Sequence, residues 1–147
     1  HQATAYKMTQ QMEPAFQAYA KALSMKPEEV LVPKILLEQA EVAIPSGHYE
    51  VAIANYQRLL QMSPGNTRLE VGLGIAFIGK RDFAQALQIF DASLARQPNP
   101  PAYYGKALVY REQGDRAQAI ANLQRASAMD PANPVYQRLL QQLQGGQ

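Results

Sequence analysis

The stretch "AYYGKALVYREQGDRAQAIANLQRASAMDP", from Ala102 to Pro131, contains two runs of small and apolar residues separated by a turn signal. Within each run these residues recur at spacings of three and four, which is the pattern of a helix that buries one stripe. The turn signal lies at Gln113 to Asp115, where a glycine interrupts the pattern. The stretch therefore predicts two antiparallel helices that end at a proline.

The same pattern occurs twice more, at a nearly fixed distance. The stretches "GHYEVAIANYQRLLQMSP" and "KRDFAQALQIFDASLARQP" align with the second half of the first stretch and end at Pro64 and Pro98. Small residues recur in register, and large apolar residues recur four positions later. They are Ala52, Ala86 and Ala119, followed by Tyr56, Phe90 and Leu123. A repeat period of this size, about 34 residues, predicts stacked helix pairs.

We predict a single domain over residues 1–147, which the period divides into repeated units. Residues 33–64, 67–98 and 100–131 are predicted to be full repeats, and residues 1–27 to be a partial one. No single helix pair can bury its own stripe, so we expect the pairs to stack and the last pair to need a cover. Residues 133–144 predict that capping helix. Its apolar face consists of Tyr136, Leu139, Leu140 and Leu143.

The repeated unit resembles the tetratricopeptide repeat, a helix-turn-helix unit of roughly 34 residues with a Leu-Gly, Tyr, Ala, Phe and Pro signature. The resemblance covers nearly the whole chain, and it implies an all-α, right-handed superhelical solenoid. The Ala/Gln-rich, cysteine-free style resembles bacterial members of the family. Arg81 and Arg116 depart from the pattern, because the family usually has glycine and an aromatic residue at their turn positions.

Composition excludes several classes of site. The net charge is only +2, which does not favour nucleic acid binding, and the absence of cysteine excludes disulfides, thiol nucleophiles and Cys-ligated zinc. The only histidines are His1 and His48, so a metal site or a His-based triad is not expected. Glu38 and Glu41 could form an acid/base pair one turn apart, but solvated or partner-facing charges are the favoured interpretation. We therefore predict a non-enzyme without cofactor or metal.

In tetratricopeptide repeats the first helices of successive units line a concave groove that binds peptides. The resemblance places thirteen residues there: Lys34, Leu37, Glu38, Glu41, Arg68, Val71, Gly72, Ile75, Ile78, Tyr104, Leu108, Arg111 and Glu112. We expect the apolar members to form a stripe that is not needed for stacking, which is typical of an interaction site. Of the two adjacent tyrosines, Tyr103 should point into the stack and Tyr104 toward the groove. Pro100 and Pro101 should begin a helix.

One subtype of groove is excluded. Family members that grip the carboxylate ends of heat-shock chaperones use a lysine-asparagine-arginine clamp. The matching positions here hold Leu37, Glu41, Gly72, Pro101 and Gly105, so those donors are missing. A more apolar ligand is expected, either an amphipathic helix or an extended segment with alternating anchors.

The predicted function is a non-catalytic scaffold that binds a peptide or helical segment of another protein in its groove and helps to assemble a multiprotein complex. Association with bacterial examples favours secretion, pilus biogenesis or cell-envelope assembly. Three alternatives stay open: a regulatory or substrate-recruiting domain cut from a larger enzyme, self-association through the solenoid ends, and a groove filled by the same polypeptide or a second copy.

The sequence does not fix the compartment. The longest apolar run, from Val71 to Gly79, is too short to span a membrane, so no direct membrane insertion of this segment is expected. Because the chain begins at His1 instead of methionine, we expect a soluble piece of a longer protein that resides in the cytoplasm or periplasm. The remainder of that protein could carry a targeting signal or an anchor.

Overall fold

A computed structural model describes residues 17, 20 and 32–145 of the chain, so the predicted partial repeat at residues 1–27 lies almost wholly outside the described residues. Residues 32–145 form seven helices and no strand. The helices are α1 (Val32–Ala43), α2 (Tyr49–Met62), α3 (Thr67–Gly79), α4 (Phe83–Arg96), α5 (Pro100–Glu112), α6 (Arg116–Met129) and α7 (Pro134–Gly145). No helix within this range has the length and hydropathy that a membrane crossing requires.

The helices stack in consecutive order, because each one contacts the next along the chain. The connections are short, and short connections between contacting helices make them antiparallel neighbours. α1 with α2, α3 with α4 and α5 with α6 form three helix pairs, and α7 packs on α6. The prediction of an all-α stack of helix pairs with a final single helix is confirmed.

The turn between the two helices of a pair has the same backbone conformation in all three pairs. Gly47, Arg81 and Gly114 each have a positive φ, of 84°, 63° and 81°. The following residue is the N-cap of the second helix, and in two pairs it is an aspartate whose side chain accepts a hydrogen bond from a backbone N–H. These bonds join Asp82 to Gln85 N at 3.3 Å and Asp115 to Gln118 N at 3.1 Å.

The first helices of the second and third pairs begin in a similar way. The side chain of Asn66 accepts from Leu69 N at 3.4 Å, and that of Asn99 accepts from Ala102 N at 2.9 Å. Prolines 100 and 101 occupy the first helical positions of α5, where a missing N–H costs no hydrogen bond. The expectation that these prolines begin a helix is confirmed.

Small residues allow the helices to approach each other. Five alanines of the repeat pattern are fully buried: Ala40, Ala52, Ala86, Ala107 and Ala119. The ring of Phe90 in α4, also fully buried, lies between two glycines of the neighbouring first helices. A Cβ atom added to Gly74 in α3 or to Gly105 in α5 would overlap this ring. The glycine-rich run from Gly72 to Gly79 therefore packs against aromatic rings of the neighbouring second helices.

The buried side chains form three clusters, each of which extends over three consecutive helices. The first joins α1, α2 and α3, the second joins α3, α4 and α5, and the third joins α5, α6 and α7. The third cluster contains Tyr136, Leu139 and Leu140, and half-buried Leu143 packs against it. The predicted capping face of α7 is confirmed. Because α3 and α5 each belong to two clusters, the core is continuous along the stack.

One polar group lies inside the first cluster. The amide of Asn55 in α2 donates to the side-chain oxygen of Gln39 at 2.6 Å and to the backbone carbonyl of Leu36 at 3.2 Å. Asn55 and Gln39 are both buried, so these bonds satisfy groups that could not reach water. The repeat pattern usually has leucine at the position of Gln39, and it did not mark Asn55 as part of the core.

Candidate functional site

The first helices of the three pairs, α1, α3 and α5, form one face of the stack together with α7. We call the exposed side of these four helices the inner face. α3 and α5 contact each other directly although α4 lies between them in sequence, whereas no pair of second helices has a contact of this extent within residues 32–145. A stack whose first helices approach more closely than its second helices curves toward the first helices. Around α3 to α5 the stack therefore curves toward the inner face.

At the N-terminal end of the inner face, charged side chains join two units. The guanidinium of Arg68 in α3 donates to the carboxylate of Glu41 in α1 at 2.5 Å. Lys34 is exposed, while Leu37 and Glu38 are half-buried. Leu37 packs against the first cluster. Because Arg68 is largely exposed, the ion pair adds little to stability and mainly sets the charge pattern of this end.

Tyr56 of the second helix α2 packs near this ion pair. The ring of Tyr56 packs so closely on Gly72 that a Cβ atom there would overlap it. The pKa of Tyr56 is raised to about 12, mainly by burial and also by the negative charge of Glu41, while the positive charge of Arg68 opposes this rise. The Tyr56 hydroxyl is therefore neutral at physiological pH and cannot serve as a phenolate base.

The middle of the inner face differs from the expectation in one respect. Val71 is 9% exposed and belongs to the second buried cluster, so it offers almost no surface to a ligand. Ile75 and Ile78 are half-buried and pack against the same cluster. The apolar stripe is thus not independent of stacking. The second cluster joins α3 to α4 and α5, so these side chains take part in the packing between units.

At the third unit, the two adjacent tyrosines have different neighbours. The ring of Tyr103 lies 5.8 Å from the guanidinium carbon of Arg125 in α6. The ring of Tyr104 lies 5.5 Å from the ring of Tyr136 in α7, at an interplanar angle of 46°. Leu108 is half-buried and packs against the third cluster. Arg111 is exposed at the end of the same helix.

The sequence interpretation treated α7 only as a cover and missed its contribution to the inner face. Four of its side chains, together with Tyr104 and Arg111 of α5, line a cleft of about 180 Å³: Val135, Arg138, Leu139 and Gln142. The repeat period contained the missing signal. Arg138 lies one period after Tyr104, and Gln142 lies one period after Leu108, so the period carries two predicted groove positions onto α7.

Two carboxylates of the inner face lie beside arginines. Glu41 is engaged with Arg68, and Glu112 lies 3.6 Å from Arg111. Within residues 17, 20 and 32–145, no three His, Asp or Glu side chains are grouped as metal ligands. What the face offers is a row of half-buried apolar side chains bordered by exposed charges.

Comparisons with known proteins address the fold and the family. Two sequence profiles of the tetratricopeptide repeat match residues 43–109 and 100–133. Cellulose synthase operon protein C of Pseudomonas fluorescens (strain SBW25) is 29% identical over 132 residues, which are 89% of this chain and 10% of that protein. The chain thus spans about a tenth of the length of this curated relative.

Solved structures have the same helical arrangement. TTC0263, a thermophilic TPR protein of Thermus thermophilus, superposes with a TM-score of 0.75 at 22% identity, over 96% of this chain and 77% of that one. YrrB, described as a TPR protein with an unusual peptide-binding site, gives 0.72 at 18% identity, over 93% and 70%. MamA gives 0.69 at 19% identity, over 98% and 83%. At these identities the likeness concerns the fold alone.

Proposed function

Because the chain belongs to the tetratricopeptide repeat family, we propose that it is a non-catalytic scaffold whose inner face binds a peptide or helical segment of another protein. Proteins of this family act as protein-protein interaction scaffolds, and one solved structure with this fold is described as having a peptide-binding site. The proposed contact residues are the predicted groove positions on α1, α3 and α5 other than Val71.

The observation that carries this proposal is the composition of the inner face. Five of the six predicted apolar positions keep part of their surface accessible: Leu37, Ile75, Ile78, Tyr104 and Leu108. Exposed charges border them at both ends, with Lys34 and Arg68 at one end and Arg111 at the other. A half-exposed apolar row with a charged border on the inner face suits a segment that anchors alternate or one-sided apolar side chains.

The proposed cellular context is the assembly of a multiprotein complex of the cell envelope. Support comes from the curated relative, whose description links it to a cellulose synthase operon. A repeat scaffold in such a protein would hold partner subunits near a polysaccharide synthase. Secretion and pilus assembly, the other contexts that bacterial examples suggested, have no corresponding support among the comparisons.

Site-specific photo-crosslinking in cells tests the proposal. The photoreactive amino acid p-benzoylphenylalanine replaces Leu108 on the inner face, and in a matched control it replaces Gln124, an exposed residue of the second helix α6. We expect irradiation to give an adduct with a different protein from position 108 and none from position 124. Equal adducts from both positions, or none from position 108, would contradict binding on the inner face.

The mass of the adduct separates the alternatives. An adduct with a second copy indicates self-association, and an internal crosslink within a longer polypeptide indicates a recruiting domain of a larger protein. The latter alternative has one observation in its favour, since the matched region makes up only 10% of the curated relative. Mass spectrometry of the adduct from position 108 identifies which of these occurs.

A further inference from the structure

The cleft between α5 and α7 has a chemical composition that differs from the rest of the inner face. α7 supplies side chains at positions 135, 138, 139 and 142, a spacing that places them on one face of a helix. α5 supplies Tyr104 and Arg111, which are two helical turns apart and share a face as well. The cleft is therefore built by two regular helix faces, with no loop in its walls.

The walls of the cleft are held by packing. Tyr104 rests against the ring of Tyr136, which is 5% exposed, and aromatic pairs of this kind have defined relative positions. Leu139 is 7% exposed, so it forms an apolar floor with little freedom to move. The cleft thus exists before any ligand arrives, which lowers the entropy cost of binding.

The charge of the cleft is positive. Its six lining residues include two arginines and no carboxylate. Arg111 lies 3.6 Å from Glu112, but that carboxylate also accepts a hydrogen bond from Arg81 at 3.3 Å. Within residues 32–145, no carboxylate lies within ion-pair distance of Arg138. Two guanidinium groups in a chain of net charge +2 are therefore concentrated in one small space.

An exposed apolar side chain lies beside these cations. Val135 is 42% exposed and is one of three large hydrophobic residues that are this exposed in the described part of the chain. It belongs to the lining of the cleft together with Tyr104 and Leu139. A ligand that fits here needs an apolar group for Tyr104 and Val135 and anionic groups for the two arginines.

We propose that this cleft binds a short acidic segment of a protein partner, with one apolar side chain on Tyr104 and Val135 and neighbouring carboxylates on Arg111 and Arg138. Guanidinium groups pair with carboxylates through charge-assisted hydrogen bonds, often two at once. A space of about 180 Å³ is below the range of cofactor pockets, which is roughly 300–1,000 Å³. The proposal rests on the proposed function, because it names the ligand chemistry at one end of the inner face.

The test uses a phage-displayed library of random dodecapeptides, selected on the full chain. We expect the enriched peptides to be acidic, with a leucine, isoleucine, valine or aromatic residue beside the carboxylates. Fluorescence anisotropy with the best synthetic peptide then compares two charge-neutralising variants. Arg138→Gln should weaken binding about tenfold or more, since a charge pair at the binding site is lost. Arg58→Gln, which removes an exposed arginine of α2, should change the affinity less than about twofold.

The outcomes separate this proposal from the proposed function. If acidic peptides bind with equal affinity to the wild type and to Arg138→Gln, or if the enriched peptides are neutral or basic, the cleft assignment is wrong while peptide binding survives. If no peptide is enriched, both fail. Dextran sulfate serves as a further probe: binding that Arg138→Gln abolishes, without any enrichment of acidic peptides, would overturn the proposal in favour of an anionic polysaccharide.

Discussion

At the scale of single residues, Arg81 shows how a sequence departure can leave the backbone unchanged. The turns within the other two helix pairs have glycine at this position. Arg81 also adopts a positive φ, of 63°. That conformation costs an L-residue roughly 1–2 kcal/mol. Its side chain provides partial compensation, since it pairs with Glu112 at 3.3 Å and lies 5.0 Å from the ring of Phe83. Both contacts are at the surface, so they offset only part of the strain.

Two substitutions of Arg81 separate the cost of its backbone conformation from the effect of its side-chain contacts. Arg81→Gly and Arg81→Ala both remove the ion pair and the contact with Phe83, but only alanine keeps the unfavourable conformation. We expect the glycine variant to be more stable by about 0.5–1 kcal/mol, because glycine tolerates positive φ and loses part of this gain to chain entropy. Urea denaturation measures the difference. Equal unfolding free energies would mean that the turn relaxes when the side chain is removed.

At the scale of single helices, α7 closes the stack in two ways. Its apolar face covers the third cluster, and its C-terminal end is bound by a side chain of the preceding helix. Nε of Arg116 donates to the carbonyl of Leu143 at 2.5 Å, and its Nη2 lies 3.4 Å from the carbonyl of Gln144. Helix ends leave such carbonyls without partners. Arg116, which departs from the family pattern, therefore caps the C-terminal end of α7.

Truncation of one leucine measures how much the cap contributes. Leu140 is 8% exposed and lies in the third cluster, so Leu140→Ala should lower the unfolding free energy by about 2–4 kcal/mol. Gln141→Ala changes an exposed neighbour on the same helix and should change it by less than about 0.5 kcal/mol. Chemical denaturation of both variants provides the measurement. A loss below about 1 kcal/mol in Leu140→Ala would show that α7 is not needed for the stability of the stack.

The sequence predicted the helices better than it predicted their surfaces. The repeat period fixes where each helix pair lies, because it repeats the same buried residues, such as Ala52, Ala86 and Ala119. It does not fix how closely neighbouring helices approach, and so it does not predict that Val71 is buried in the second cluster. Asn55 was missed for a related reason, because its partner Gln39 lies on another helix and polar residues do not follow the apolar pattern.

At the scale of the whole molecule, the three clusters are connected through the first helices. α3 contributes to the first and second clusters, and α5 contributes to the second and third. Phe90 occupies the middle of this chain of contacts, since its ring touches the positions of both Gly74 and Gly105. In a stack whose units contact only their neighbours, cooperativity depends on each interface between units. The inner face depends on the same interfaces, because its apolar side chains pack against these clusters.

Replacing Phe90 with alanine should weaken the coupling between the three clusters. Phe90→Ala should lower the unfolding free energy by about 3–5 kcal/mol, and because the lost contacts join α3 to α5, the two ends of the molecule should then unfold separately. Native-state hydrogen exchange should report similar opening free energies for α2 and α6 in the wild type and different ones in the variant. Leu140→Ala, at the end of the stack, should lower protection mainly in α6 and α7. If Phe90→Ala instead lowers the opening free energies of α2 and α6 equally, the stack unfolds as one unit and the clusters are coupled through contacts other than this ring.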